Sequence, residues 1–320
     1  MAKTLDVLLL IALPASGKSE VRRYIAAQKP KVCERDFHLR SSLQLDDFPY
    51  VHIMRLAADE LKAAGEDPIF FASGDQPLKE PRDWGTLTVL LNEDFDDLVA
   101  RKKASPRSAS AWMFERIDKA RASLGIDTAF AKLSSARRSA LEDKLESEAA
   151  KLLVDRNQQA AQDVKKHTVI IEFARGGKQG SAMPLAAPYG YEHAFNTLSD
   201  AICERASALY VWVSPEESRR KNRERANPND PGSILHHGVP ESVMLNEYGC
   251  DDIDYLLSRS DKPDTITIAR KGKSYHVPLA RFDNRSDKTS FVRGDPKTWS
   301  PENVKALHEG LTSAFGTLVR

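Results

Sequence analysis

Two nearly unbroken apolar runs mark the centre of this chain. Residues 7–13 read Val-Leu-Leu-Leu-Ile-Ala-Leu, and residues 167–173 read His-Thr-Val-Ile-Ile-Glu-Phe. Runs of that length without alternation suit strands buried on both faces of a parallel sheet. Ser42–Asp46 alternates apolar with polar and predicts another strand, as does the run 208–213. Apolar residues at helical spacing fill the intervals 20–25, 49–64, 87–101 and 192–206. Segments 265–269 and 274–279, joined across Lys271-Gly272-Lys273, predict a hairpin. Ser300 and Pro301 open a last helix, with Val304, Leu307, Leu311, Phe315 and Leu318 on one face. Strands alternating with helices predict an α/β fold, a mostly parallel sheet flanked by helices.

The intervals without this pattern divide the chain. Residues 31–40 are expected to be irregular, and 74–85, rich in Pro, Gly and charge, to be a surface loop. Residues 104–110 are small and polar and read as a flexible joint. Helices are expected beyond it at 112–124 and 128–163, the second with a narrow stripe of Leu133, Leu141, Leu145, Leu152 and Leu153. That stripe suits a helical insertion at 101–163 within a core formed by 1–100 and 164–320. Residues 101–166 carry 15 Lys/Arg against 9 Asp/Glu, which a solvated helical face explains and a nucleic-acid surface explains less well. The loop 176–191 is long and rich in Gly, Pro and Ala, the profile of a functional or mobile loop. Ser214-Pro215-Glu216-Glu217 forms a helix start with a capping box, and two prolines and two glycines in 227–238 end that helix.

Chemistry enters where the first apolar run stops, at Pro14-Ala15-Ser16-Gly17-Lys18-Ser19. Strand, small-residue loop, Gly-Lys-Ser and helix predict a phosphate-binding loop. Backbone N–H groups and the helix N-terminus receive the phosphates, Lys18 neutralises them, and the Ser19 hydroxyl takes Mg²⁺. Pro14, Ala15, Ser16 and Gly17 complete the expected cofactor-binding set. Ala12 stands where G-x-x-x-x-G-K-[ST] has its first Gly. If that position needs a positive φ, Ala costs energy there.

Leu13 to Ser19 resembles the x-P-[GA]-[SA]-G-K-[ST] loop of the P-loop kinases of nucleosides, nucleotides and other small metabolites. The resemblance implies the P-loop NTPase fold, ATP and Mg²⁺. Asp46-Asp47-Phe48 is similar to the D-x-[FY] of uridine-kinase-like and phosphoribulokinase-like enzymes, which implies that Asp46 faces the acceptor hydroxyl. Asp46 also ends a predicted strand, where open α/β sheets hold ligands. Glu172 ends the other central strand and is a candidate to support the metal or the acceptor, with Arg175 close behind. Arg219 and Arg223 lie four apart on the capped helix, a like-charge pair that an anion would relieve. They resemble the lid arginines of small P-loop kinases, the lid then spanning about 214–250. Asn284, before the last helix, is placed near the adenine by analogy. Asp36 with Arg40 loosely matches a nucleotide-kinase acceptor motif, one residue too long, and Arg55 is a weaker acceptor candidate. His236 and His237 with Cys250 lack a recognised zinc spacing.

Composition narrows the class. The 320 residues fit one elaborated domain, and 47 Lys/Arg against 46 Asp/Glu give a net charge of +1. Neither nucleic acid nor an anionic membrane is strongly attracted by that balance. Three scattered cysteines do not make a disulfide framework, so a cytoplasmic location is expected. No apolar run is long enough to span a membrane. The expectation is an ATP/Mg²⁺-dependent kinase of a nucleoside, nucleotide or sugar derivative. Its rivals are a zeta-toxin-like sugar-nucleotide kinase, a slowly hydrolysing NTP switch signalling through the helical insertion, and a polynucleotide kinase. The sequence leaves acceptor and oligomeric state open.

Overall fold

The alternation of strand residues decides which helices cover which face of the sheet. The computed structural model describes residues 3–73, 75–225, 238–270 and 272–319. The chain runs β1 (Val7–Ile11), α1 (Lys18–Ala26), α2 (Pro30–Asp36), β2 (Ser42–Asp46), α3 (Phe48–Ala63) and α4 (Asp83–Val99). It continues through α5 (Ala109–Ser123), α6 (Ser135–Ala160), β3 (Thr168–Phe173), α7 (Gly190–Thr197), α8 (Asp200–Cys203), β4 (Ala206–Trp212) and α9 (Pro215–Arg225). It ends with α10 (Glu241–Asn246), α11 (Ile253–Ser258), β5 (Thr265–Arg270), β6 (Lys273–Asp283) and α12 (Pro301–Leu318).

The six strands form one sheet in the order β2-β3-β1-β4-β6-β5. All neighbours pair in parallel except β5, which joins β6 as the predicted antiparallel hairpin. In β1, Leu8 and Leu10 face a layer made by α1, α2 and α12, while Val7, Leu9 and Ile11 face α4 and α7. Both faces are therefore buried, which is why the run shows no alternation. From β1 the chain leaves toward β2, and from the adjacent β3 it leaves toward β4 on the far side. A crevice opens at the carboxyl ends of two such strands, because their connections part there. Among the described residues no helix is long and apolar enough to cross a membrane.

Four expectations change. Residues 31–40 are not irregular throughout: Pro30 at the first turn starts α2, which buries Cys33. The expected helix 192–206 is split, because the Asn92 side chain takes the Ser199 N–H (2.8 Å) and donates to the Thr197 carbonyl (2.8 Å). The helix expected from 128 starts only at Ser135. The Asp118 carboxylate holds the N–H groups of Ala129, Phe130 and Ala131 at 2.6, 3.1 and 2.8 Å, fixing a turn there. Finally, the joint at 104–110 is fastened. Asn157 bonds both the N–H and the carbonyl of Ala104 (2.9 and 2.8 Å), and Glu146 accepts from the N–H groups of Ala109 and Ser110. Burial opposes the charge of Glu146, yet bonds from Ser110, Ala109 and Ser108 hold its carboxyl down to about 2.

Helices α5 and α6 share an apolar cluster with α3 and α4, through Met113, Phe114, Ile117, Leu141 and Leu145. Charge also fixes them. Asp94 on α4 accepts from Arg116 Nη2 (2.9 Å), Arg156 Nε (2.9 Å) and the Tyr50 hydroxyl (2.5 Å). Asp83 pairs with Arg121 at 2.6 Å, fully buried. Part of the basic excess of 101–166 is thus turned inward rather than solvated. Removing Asp94 would take the most buried acceptor from Arg116, Arg156 and Tyr50, leaving Arg116 only the more exposed Glu93 and Arg156 only Asp97, which costs about 3–5 kcal/mol. Urea unfolding of Asp94→Ala should show a loss of that size, and a loss under about 1 kcal/mol would contradict the role of this network.

Candidate functional site

The turn from β1 into α1 determines the site. Gly17 caps α1 in the left-handed region, at φ 107° and ψ 13°. A Cβ at Gly17 would lie 2.5 Å from Thr289 Oγ1 and 2.7 Å from Asn284 Nδ2. Conformation and space therefore both require glycine. Ala15 sits at φ 56°, a region that costs a residue with a side chain roughly 1–2 kcal/mol. Ala12 has no positive φ and packs fully buried against the α1 face, so the missing first glycine carries no conformational cost. The strain is three residues further on.

The loop is clamped from behind. Asn284 Nδ2 donates to the Ser16 carbonyl at 2.7 Å and to Thr289 Oγ1 at 2.8 Å. The Ser218 hydroxyl on α9 donates to the Pro14 carbonyl at 2.7 Å, and Arg293 Nε reaches Glu20 on α1 at 2.7 Å. Asn284 is completely buried in this role, so it braces the loop instead of facing an adenine on the open side. Lys18 folds back, its Nζ 3.4 Å from the Ala12 carbonyl. Pro14, Ala15, Gly17, Lys18 and Ser19 line a cleft of about 1050 Å³, its open mouth included. Ser16 does not line it; its hydroxyl is buried without a partner among the described residues.

Strand register brings the carboxylates together. Asp46 and Glu172 are direct neighbours across β2 and β3, and both point to the α1 side. There they meet Arg22, whose Nη1 lies 2.9 Å from Glu172 and 3.7 Å from Asp46. Arg22 escaped the sequence analysis. The signal was its position four residues after Lys18, on the same helix face. Asp46 accepts the Phe48 N–H at 2.8 Å. Burial, then the charges of Glu172 and Asp47, push its carboxyl above the ordinary carboxylate range.

Arg175, expected at the site, is an internal brace. It is 2% exposed and donates to Asp47 Oδ2 (2.5 Å), to Thr88 Oγ1 (3.1 Å) and to its neighbour's carbonyl (2.7 Å). This clamp turns Asp47 away from Asp46 and separates their roles. Arg219 and Arg223 also differ from the expected unpartnered pair. Arg223 lies outside, bound to Glu241 on α10 at 3.3 Å. Arg219 turns inward and reaches Glu216 at 3.3 Å, while its Nη1 is buried with no partner among the described residues. The Ser214 cap is present, with the Glu217 N–H at 3.2 Å from its hydroxyl. Most of the expected helix break at 227–238, and His236 with His237, lie outside the described residues. Asp36 and Arg40 belong to the far side of the molecule. Asp36 pairs with Arg35 and His308, and Arg40 with Asp6, before the start of β1.

The far end of the cleft is aromatic. Phe48, Phe71, Trp84 and Tyr248 line it, with Trp84 edge-on to Tyr248 at 5.6 Å. A bridge between Phe71 and Leu78 folds the expected surface loop into this wall. Two polar side chains share it: Arg55, 4.0 Å above the Phe71 ring, and Glu247. Glu247 accepts the Leu78 N–H at 3.2 Å. Burial raises its carboxyl from 4.5 to about 7, against the lowering pull of that bond and of Arg55. No periodic pattern announced this wall, because it draws single residues from α3, a loop, the start of α4 and the segment just after α10. Comparison with protein-family models, with curated proteins and with solved structures returns no match.

The raised Glu247 has a stability consequence. Above pH 4.5 the unfolded chain releases this proton while the folded chain keeps it until about 7, so stability falls across that window and stays lower above it. The loss is of order 3 kcal/mol at most. Glu247→Gln should gain stability relative to the wild type between pH 5 and pH 8, read by urea unfolding at both. A difference that does not change with pH would contradict the burial cost.

Proposed function

We propose that this chain is an ATP- and Mg²⁺-dependent phosphotransferase of the P-loop NTPase fold. Its acceptor is a small molecule with a hydroxyl group and a flat, largely apolar body. The observation that carries this reading is a single cleft that joins three parts. The Gly17–Lys18–Ser19 turn lies at one end, Asp46 stands beside it, and the aromatic wall forms the other end. The strand order supports it, since the crevice lies where the connections of β1 and β3 diverge.

The residues suit the groups they would hold. The Ser19 hydroxyl and the Glu172 carboxylate are hard oxygen donors of the kind Mg²⁺ takes, and Mg²⁺ keeps several of its waters. Arg219 Nη1, buried and without a partner among the described residues, on the helix that touches the Pro14 carbonyl, suits an anion. When bound, ATP with Mg²⁺ supplies the phosphoryl group and part of its charge compensation. The rest falls to the chain. Backbone N–H groups at the start of α1 and the Lys18 ammonium neutralise phosphate charge. Asp46, in its ionised form, accepts the proton of the acceptor hydroxyl. Phe48, Phe71, Trp84 and Tyr248 hold the acceptor's flat body and exclude water. Arg55 and Glu247 read its polar edge.

The aromatic wall favours a nucleoside-like acceptor over a sugar phosphate, which would need more polar partners. It also favours transfer over a switch that only hydrolyses NTP, because a switch has no use for a second pocket facing the base. A polynucleotide is less well served, as Arg116, Arg121 and Arg156 are bound internally.

Two substitutions test this reading. Lys18→Ala should abolish ATP-dependent transfer and leave the urea midpoint unchanged; normal turnover at saturating ATP sinks the nucleotide assignment. Asp46→Asn should lower kcat about 10²–10⁴-fold with ATP affinity retained, whereas Asp47→Asn should act mainly on stability through Arg175. If Asp46→Asn transfers normally, the base lies elsewhere.

A further inference from the structure

We infer that Arg22 occupies the Glu172 carboxylate that a divalent cation would take, and that metal binding displaces it. The inference rests on the ATP/Mg²⁺ reading of the cleft. Its basis is the register of β2 and β3, which sets Asp46 and Glu172 side by side at the strand ends with one guanidinium between them. Two neighbouring carboxylates in a half-buried site repel each other unless a cation intervenes. In the protein without metal, Arg22 is that cation.

Its closest contact is with Glu172 Oε2, at 2.9 Å. A metal ion drawing Glu172 into its coordination or its water shell competes for the same oxygen. The two positive charges would then stand within a few ångströms, so one of them must leave. Arg22 is the looser. Arg175 is fixed by Asp47, Thr88 and Ala174, and Arg116 by Asp94, Glu93 and Tyr50. Arg22 forms one close ion pair and one longer one, and its side chain is 19% exposed. It also has somewhere to go. It lines a second cleft of about 970 Å³, open mouth included, beside β2, whose wall includes Gln44, Asp155 and Gln159. Arg22 is therefore a positioning residue. It keeps the two carboxylates aligned while the metal is absent and yields Glu172 when it arrives.

The test measures protein-bound Mn²⁺ directly, by equilibrium dialysis with AMP-PNP saturating and equal on both sides, so that metal held by free nucleotide cancels. Wild type, Arg22→Met and Arg22→Lys are compared. Removing the competing charge should tighten Mn²⁺ binding in Arg22→Met on the order of tenfold, while Arg22→Lys stays near the wild type. Should Arg22→Met unfold without metal, the rise in its melting temperature on adding Mn²⁺ with AMP-PNP should exceed that of the wild type. Equal or weaker Mn²⁺ binding in Arg22→Met, or a smaller rise, overturns the inference and leaves the nucleotide reading standing. If the wild type binds neither Mn²⁺ nor AMP-PNP, the nucleotide reading and the inference fall together.

Discussion

A turn that has room for no side chain is the constraint on which the site depends. Gly17 must be left-handed to end β1 and start α1 within a few residues, and its Cα lies against Thr289 and Asn284. The turn aims the N-terminus of α1 at the cleft, and α1 brings Lys18 and, one turn later, Arg22. The clamp on the turn draws on distant parts of the chain: Ser218 from α9, Asn284 and Thr289 from the segment after β6. These segments hold the loop through its Pro14 and Ser16 carbonyls.

A second principle runs through the helices: buried carboxylates serve as fixed points. Asp94 gathers α3, α5 and α6 onto α4, Asp118 shapes the turn before α6, and Glu146 caps α5. Each is satisfied by several donors, which is what allows a charge to be buried at all. Asp46 differs from them. It keeps one backbone bond and a distant guanidinium, and it sits beside a second carboxylate. An under-compensated carboxyl in a cleft is the kind of group chemistry can use.

The sheet was legible in the sequence because both central strands are buried on two faces and say so in unbroken apolar runs. The hairpin, the Ser214 cap and the Ser300 cap were legible from turn and cap residues that act locally. The turn was legible as Gly-Lys-Ser between strand and helix; a positive φ, considered for position 12, occurs at Ala15 instead. What escaped depends on contacts between distant residues. Nothing local says that Asn92 splits a helix, that Arg175 turns inward to Asp47, or that Asn284 braces the loop. The pairing of Arg22 with Glu172 follows from strand register, which a single strand does not reveal. The aromatic wall is assembled from α3, an irregular loop, the start of α4 and the segment just after α10, with no period to read.

The central claim is that the Gly17 turn receives phosphate. The most direct measurement is a crystal structure with AMP-PNP and Mg²⁺. The outer phosphates should lie on the backbone N–H groups at the start of α1, beside Lys18 and Ser19, with the aromatic end of the cleft left for an acceptor. Phosphates bound away from that turn, with the turn itself empty, would contradict the claim.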